Sequence, residues 1–591
     1  MPKNCIFSDK GPAIFINSDN SQELLALLSI VNSPAFKLLI DLQMAFGSYE
    51  VGVIQRTPIP DLTGEETATL ATLARRAWSL NRNLDTITQT SHAFILPALL
   101  QVQGATLSQR AQVWATTVAT TEQELAQIQA EIDAVAFDLY GISPEEVGAG
   151  SDQGSVISGQ EGELDTDHRP LATEDDEDDT TESADLPSLV HGLIEYALGV
   201  ALGRFDIRLA IGERPHPPEP EPFDPLPACS PGMLVVESDQ GSVDSDRESD
   251  QWAVGSGQKG KLGTDHRPLT TPPTTGHRPP TTSSDIPPNY PIDIPFNGIL
   301  VDDEGHPSDI VGKIRDVLDA IFPESGQGPV DSDQQTPLPT AHRPLTTNPP
   351  TAGDIEQEAC QILRVASLRD YIAKPSAFFA EHLSRYSKSR RQAPIYWPLS
   401  TRSGGYTLWL YYHRLTDQTF YTCINDFVEP KLRRVQEQVA ELRRQQSEQR
   451  SDQGAVDSGQ KGKPSTAHRP LSTAHSLETL QTLELELIDL RDELLRIAQL
   501  PYKPNLNDGV QITAAPLWPL FGLKKWQTKL KDTWKKLEKG DYDWAHLAYS
   551  IWPERVREKC KGDKSLAIAH DLEALYEAPP EKPKKSRRPR T

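Results

Sequence analysis

Cysteine is scarce and scattered. Cys5, Cys229, Cys360, Cys423 and Cys560 lie far apart, and none belongs to a CxxC pair. That spacing excludes a zinc ribbon and a disulfide framework. Long apolar runs are missing too. No stretch of 18 apolar residues occurs, and the first nine residues hold no apolar signal core. The expectation is a cytoplasmic chain with no membrane partner. Apolar residues make up only 37%, against about 45–50% in ordinary globular chains. The deficit sits in Pro/Ser/Thr/Asp-rich stretches, which bury too little to order themselves.

An overall basic excess is also lacking. The net charge is −25, whereas proteins that wrap duplex DNA are usually basic, because phosphate neutralisation supplies much of their affinity. The acid is local, however. Glu174-Asp175-Asp176-Glu177-Asp178-Asp179 is one run, and the basic residues cluster elsewhere. Local fields therefore matter more than the sum.

What is present begins with repeats. His-Arg-Pro-Leu occurs at 168–171, 266–269, 342–345 and 468–471, with His277-Arg278-Pro279-Pro280 as a variant. Strings such as Ser151-Asp152-Gln153-Gly154 and Ser451-Asp452-Gln453-Gly454 precede them. Their spacing is irregular and they lack aliphatic periodicity, so they cannot stack as a solenoid. They read as disordered insertions at surface loops.

Setting them aside leaves ordered blocks at 1–148, 185–228, 285–325 with 354–447, and 476–578. The linkers are an acidic one at 149–184, another at 229–284, and insertions at 326–353 and 448–475. A basic tail covers 579–591. Within the first block, Leu24 to Leu42 has helical spacing broken near Pro34. Tyr49 to Gln55 alternates like a strand, and Glu65 to Leu80 and Glu122 to Tyr140 read as amphipathic helices. Leu189 to Leu202 is helical with a Pro-rich exit. Val435 to Arg450 and Leu477 to Leu500 read as a long helical hairpin. The fold class expected is α+β, predominantly helical.

Two strings look catalytic at first sight. Gly255-Ser256-Gly257-Gln258-Lys259-Gly260 matches GxGxxG, but its flanks are repeat sequence, with neither the strand nor the helix that a phosphate-cradling loop needs. Asn348-Pro349-Pro350-Thr351 is close to the NPP(Y/F) loop of amino-methyltransferases, yet Thr351 offers no face to stack on a flipped base. Both read as coincidence. The most distinctive stretch runs from Ser384 to Arg414. Arg385, Lys388, Arg390, Arg391, Arg402 and Arg414 alternate there with Tyr396, Trp397, Tyr406, Trp409, Tyr411 and Tyr412. Cations reach phosphates and aromatics stack on exposed bases; the same pattern also suits an aromatic core with a solvated basic edge. Near the C-terminus, Trp526, Trp534, Trp544 and Trp552 stand among lysines, which either meet phosphate or are simply solvated.

A family likeness runs through these blocks. Leu24 to Ser33, Gly47 to Gln55 and Pro58-Ile59-Pro60 resemble the target-recognition region of type II restriction-modification and BREX-type adenine-specific DNA methyltransferases. Phe137-Asp138-Leu139-Tyr140-Gly141 is similar to the end of the helix that closes that region. Leu198 to Phe205, Arg390 to Trp397, Leu408 to Arg414, Asn425 to Leu432, Asp508-Gly509-Val510 and Ala515-Pro516-Leu517 resemble later elements of the same proteins. The likeness is collinear and skips the repeats.

The resemblance implies DNA binding and target recognition for methylation at adenine N6 in a restriction-modification or phage-defence system. The family's S-adenosylmethionine domain and NPP(Y/F) loop normally precede this region. The cofactor is therefore expected on a missing or separate catalytic module, and no catalytic, cofactor or metal residue is assigned here. Expected partners are duplex DNA and a methyltransferase module or other defence-system subunits. Candidate DNA contacts are Arg56, Lys388, Arg390, Arg391, Arg402 and Arg414. The alternatives are a helical scaffold of a defence complex and an inactive remnant of the methyltransferase.

Overall fold

The computed structural model describes residues 16, 18, 20–43, 51–144, 185–237, 277–278, 285–323, 350–388, 391–456, 471–500, 509–539, 553–569 and 572–577. The His-Arg-Pro-Leu strings at 168–171, 266–269 and 342–345 lie outside the described residues, as does the GxGxxG match. The described chain is a predominantly helical α+β protein. It divides into two compact units, residues 1–196 with 204–291, and 197–203 with 292–591. No single described helix is long and apolar enough to cross a membrane.

The first unit is helical because polar caps and proline punctuate its apolar runs. α1 (Ser21–Val31) starts at Asn20, whose side chain accepts the Gln22 N–H. α2 (Pro34–Asp41) starts at Ser33, with proline at its first position, where no N–H is needed. The break expected near Pro34 is therefore a cap followed by a new helix. The next segment differs from expectation: Val51–Ile54 forms a one-turn helix, α3, where strand alternation predicts an extended segment. Val53 points into the core, and the Thr57 hydroxyl donates back to the Val53 carbonyl at 2.9 Å, closing the turn. Tyr49 and Glu50 lie outside the described residues.

α4 (Gly64–Asp85) opens with a full capping box between Thr63 and Glu66. After the short α5 (Ala98–Gln101), α6 runs from Leu107 to Tyr140. It starts 15 residues before the expected position at Glu122. Its Thr116, Thr117, Thr120 and Thr121 hydroxyls each donate to the carbonyl four residues back. Those bonds satisfy the hydroxyls within the helix, so this threonine-rich stretch stays helical. Ala26, Ile30, Phe36, Leu70, Ile128 and Ile132 form the core between these helices. α7 (Leu186–Ala201) and α8 (Ile207–Ile211) follow. Phe94 and Tyr196 pack against Phe205 with centroids 4.8 and 5.4 Å away. Beside them, the fully buried Asp206 carboxylate accepts from Arg208 at 2.8 Å and Arg214 at 3.0 Å. β1 (Val236–Glu237) pairs with β2 (His277–Arg278).

The second unit is built on a three-stranded antiparallel sheet. β3 (Ile299–Asp302), β6 (Tyr396–Ser400) and β7 (Thr407–Tyr411) lie in the order β3-β7-β6. Between β3 and β6 come α9 (Ile310–Ile321), α10 (Ala352–Ile362), α11 (Leu368–Ala373), α12 (Phe378–Arg385) and the small hairpin of β4 (Ser387–Lys388) with β5 (Arg391–Gln392). Thr351, last residue of the Asn-Pro-Pro-Thr string, is the N-cap of α10. It forms a capping box with Asp354, which gives that residue a helix-starting role.

After β7, α13 (Thr419–Thr422) passes through a π-helical turn, Cys423–Val428, into α14 (Glu429–Val456). α14 packs against α15 (Leu471–Ala498), giving the expected hairpin. Leu432, Val435 and Val439 of α14 and Leu487, Leu490 and Leu494 of α15 are buried. Its base is tied by Arg491 to Glu429 at 3.5 Å and by Tyr421 Oη to the Ala498 carbonyl at 3.4 Å. α16 (Val510–Ala514), a 3-10 turn (Ala515–Leu520), α17 (Lys524–Lys539), α18 (Pro553–Cys560) and α19 (Lys564–Ala569) complete the unit.

Candidate nucleic-acid interface

The aromatic members of the 384–414 stretch form the core of the second unit. β7 is the central strand and is buried at every position. Tyr396, Trp397, Tyr406 and Trp409 are at most 1% exposed. They pack on Phe378, Tyr412 and Phe521, with Phe378 edge-on to Trp409 at 5.6 Å and Trp397 5.4 Å from Tyr412. None of these four rings has a free face for a base. These four rings therefore build the platform and are closed to a base, while Arg391 and Arg402 are exposed.

His382 of α12 holds this platform together. Its fully buried Nε2 accepts the N–H of Ile395 at 2.9 Å and of Tyr396 at 3.1 Å, where the chain enters β6. Its ring stacks on Tyr396 at 5.0 Å.

The candidate contacts sit in different settings. Arg391 is exposed in β5, and Arg402 is exposed in the turn between β6 and β7. They flank opposite ends of β6, so they are not one cluster. The Arg402 turn is fixed: Ser403 Oγ donates to Glu486 at 2.6 Å, and Thr401 Oγ1 accepts the Tyr406 N–H at 3.1 Å. Neither Arg391 nor Arg402 has an acidic partner among the described residues, and the same holds for Arg56, exposed just after α3. Arg414 is different. It is half-buried, its guanidinium lies 5.2 Å from the Phe296 ring centroid, and its stem presses on Gly298. That packing makes Arg414 part of the scaffold. Lys388 lies in β4, and Arg390 lies outside the described residues.

One polar network was not foreseen. Asp302, Asp303 and Asp309 surround the loop from β3 to α9. Arg369 of α11 pairs with both Asp302 and Asp309, the latter at 2.8 Å. Asp303 accepts from Lys431 at 2.6 Å and from Arg434 at 2.8 Å. Asp309 also caps α9 through the Gly312 N–H at 3.0 Å. Burial raises the Asp302 carboxyl, against the opposing pull of Arg369. His306 Nδ1 accepts the Ser308 N–H at 3.0 Å, and burial lowers the imidazole. Each of the three carboxylates is matched by a cation, so the network braces the loop. The sequence signal was the string Asp302-Asp303-Glu304-Gly305-His306 straight after an apolar strand.

Burial pushes the Cys360, Cys423 and Cys560 thiols upward, away from the thiolate. Among the described residues, no group of His, Cys, Asp and Glu is arranged to hold a metal ion. The named strands all pair antiparallel.

C-terminal to the sheet, α17 presents a different basic surface. Trp526, Leu530, Thr533, Trp534 and Leu537 are buried, and Lys524, Lys525, Lys531, Lys535, Lys536 and Lys539 are exposed. No family model matches the chain, and no curated protein matches it.

Proposed function

We propose that the chain is the DNA-binding, target-recognition and C-terminal part of an adenine-N6 DNA methyltransferase system for restriction-modification or phage defence. It works in the cytoplasm, on duplex DNA, beside a catalytic module that holds S-adenosylmethionine. The collinear resemblance along the ordered blocks supports the methyltransferase part of this reading. The observation that carries DNA contact is the state of Arg56, Arg391 and Arg402. In a chain of net charge −25, many arginines find carboxylates, as Arg76 does with Glu124 and Arg315 with Glu356. These three stay exposed on short, anchored segments with no such partner among the described residues. Cations held that way reach phosphate oxygens without first breaking an internal pair.

Phosphate contacts position a protein on the duplex, and base-edge contacts specify the site. The test is binding of the full chain to random duplex over a salt series. Arg391→Ala with Arg402→Ala should flatten the slope of log affinity against log salt by about 1.8, at ~0.9 per phosphate contact. A wild-type chain that leaves duplex DNA unshifted would overturn the reading, and would favour the helical scaffold.

A further inference from the structure

α17 carries seven lysines against two acids, in 16 residues of a strongly acidic chain. At 100° per residue, these lysines occupy an arc of roughly 160° along a helix about 24 Å long. The opposite arc is Trp526, Leu530, Thr533, Trp534 and Leu537, all buried. Of the two acids, Glu538 lies at the edge of the lysine arc, toward Arg496 of α15, and its charge helps to raise that guanidinium. Only Asp532 lies within the lysine arc, 3.7 Å from Lys535. Lys531 Nζ sits 4.6 Å from the centroid of the half-buried Trp518, which braces one edge.

Like charges therefore crowd this arc, with one acid, Asp532, inside it. Lys529 is lowered by burial and then by the charge of Lys525, one turn away. A polyanion laid along the face relieves that repulsion. A basic amphipathic helix can also lie on an anionic membrane, but it does so by inserting its apolar face. Here that face is already spent. Trp526, Leu530 and Leu537 are fully buried in the protein, so nothing apolar is left to insert. Duplex DNA needs no insertion and offers one phosphate charge per ~1.7 Å of axis.

We infer that the lysine face of α17 is a phosphate-backbone contact surface for duplex nucleic acid. It is a second anchoring point that reads no sequence. The choice of DNA as occupant rests on the function proposed above; the polyanion chemistry rests on the face itself.

The experiment measures the affinity of the full chain for random-sequence duplex across a salt series. Lys525→Gln with Lys535→Gln and Lys536→Gln should make the log–log slope shallower by about 2.7, at ~0.9 per lysine–phosphate contact. The matching triple Lys→Arg variant should keep the wild-type slope, which separates lost charge from a damaged fold. If wild type binds DNA and the Gln variant keeps its slope, the α17 surface is overturned and the DNA-binding reading stands. If wild type does not bind duplex at all, that reading falls and takes DNA with it. Lysine-dependent sedimentation with phosphatidylserine vesicles, without lysine-dependent DNA binding, would make a membrane the occupant and overturn the inference.

Discussion

Asp303 accepts a hydrogen bond from Lys431 at 2.6 Å across 128 residues of sequence, tying the loop after β3 to the first turn of α14. The same carboxylate takes Arg434 on its other oxygen. Asp303 is 7% exposed, while the Arg434 side chain is 48% exposed, so solvent screens part of the attraction. Asp303→Ala is expected to cost about 1–2 kcal/mol, between an exposed pair and a fully buried one. Urea unfolding of Asp303→Ala, Lys431→Met and the double variant measures the coupling. Fully additive losses would remove the pair from the account of stability.

His382 gives a larger expectation. Its Nε2 accepts two buried backbone N–H groups at the entry to β6. His382→Leu strands both, at roughly 1–3 kcal/mol each, for a total loss of about 2–6 kcal/mol. His382→Gln keeps a carbonyl acceptor and should recover part of it. A leucine variant as stable as wild type would show that neither bond matters.

Two glycines with positive φ separate strain from crowding. Gly298 has φ +68° and Gly305 φ +81°. A Cβ on Gly305 meets nothing within 4 Å, but one on Gly298 would stand 2.4 Å from Arg414 Cβ. Gly305→Ala should cost only the backbone term, about 1 kcal/mol. Gly298→Ala adds a collision and should cost about 2–3 kcal/mol or more. Equal shifts in thermal midpoint would contradict the close approach of Arg414 to Gly298.

His306 sets a pH dependence. Burial lowers its folded value from the usual 6.5, with Asp303 pulling the other way. The unfolded chain therefore binds more protons below 6.5, so stability falls as pH drops through 6.5 and levels off beneath the folded value. His306→Gln, which retains an acceptor for the Ser308 N–H, should flatten that slope. The urea midpoint of wild type and variant across this range measures it, and parallel curves would refute it.

Helix pairing and class were readable because they are local. The break at Pro34 and the faces of α14 and α15 are written in spacing and caps. The start of α6 was hidden because its threonines satisfy their hydroxyls on the helix backbone. The aromatic stretch was ambiguous for a different reason. β7 is buried on both faces, so period-2 alternation could not distinguish a platform for bases from the middle of a core. The acidic string at 302–306 marks the loop, but the cations that hold Asp303 were illegible, because Lys431 and Arg434 stand 128 and 131 residues away and no local pattern encodes such a distance. Of the candidate contacts, Arg391 and Arg402 are exposed, whereas Arg414 is packed, because the turn after β7 folds it over Phe296.

The hairpin of α14 and α15 is fastened at its base, where Arg491 meets Glu429 and Tyr421 reaches the end of α15. Alignment of the two helices is therefore specified at the end away from residues 457–470. Closing a loop costs only about 0.6 kcal/mol more for each doubling of its length. A change in the number of residues between Val456 and Leu471 is therefore expected to leave the two helices with the same partners.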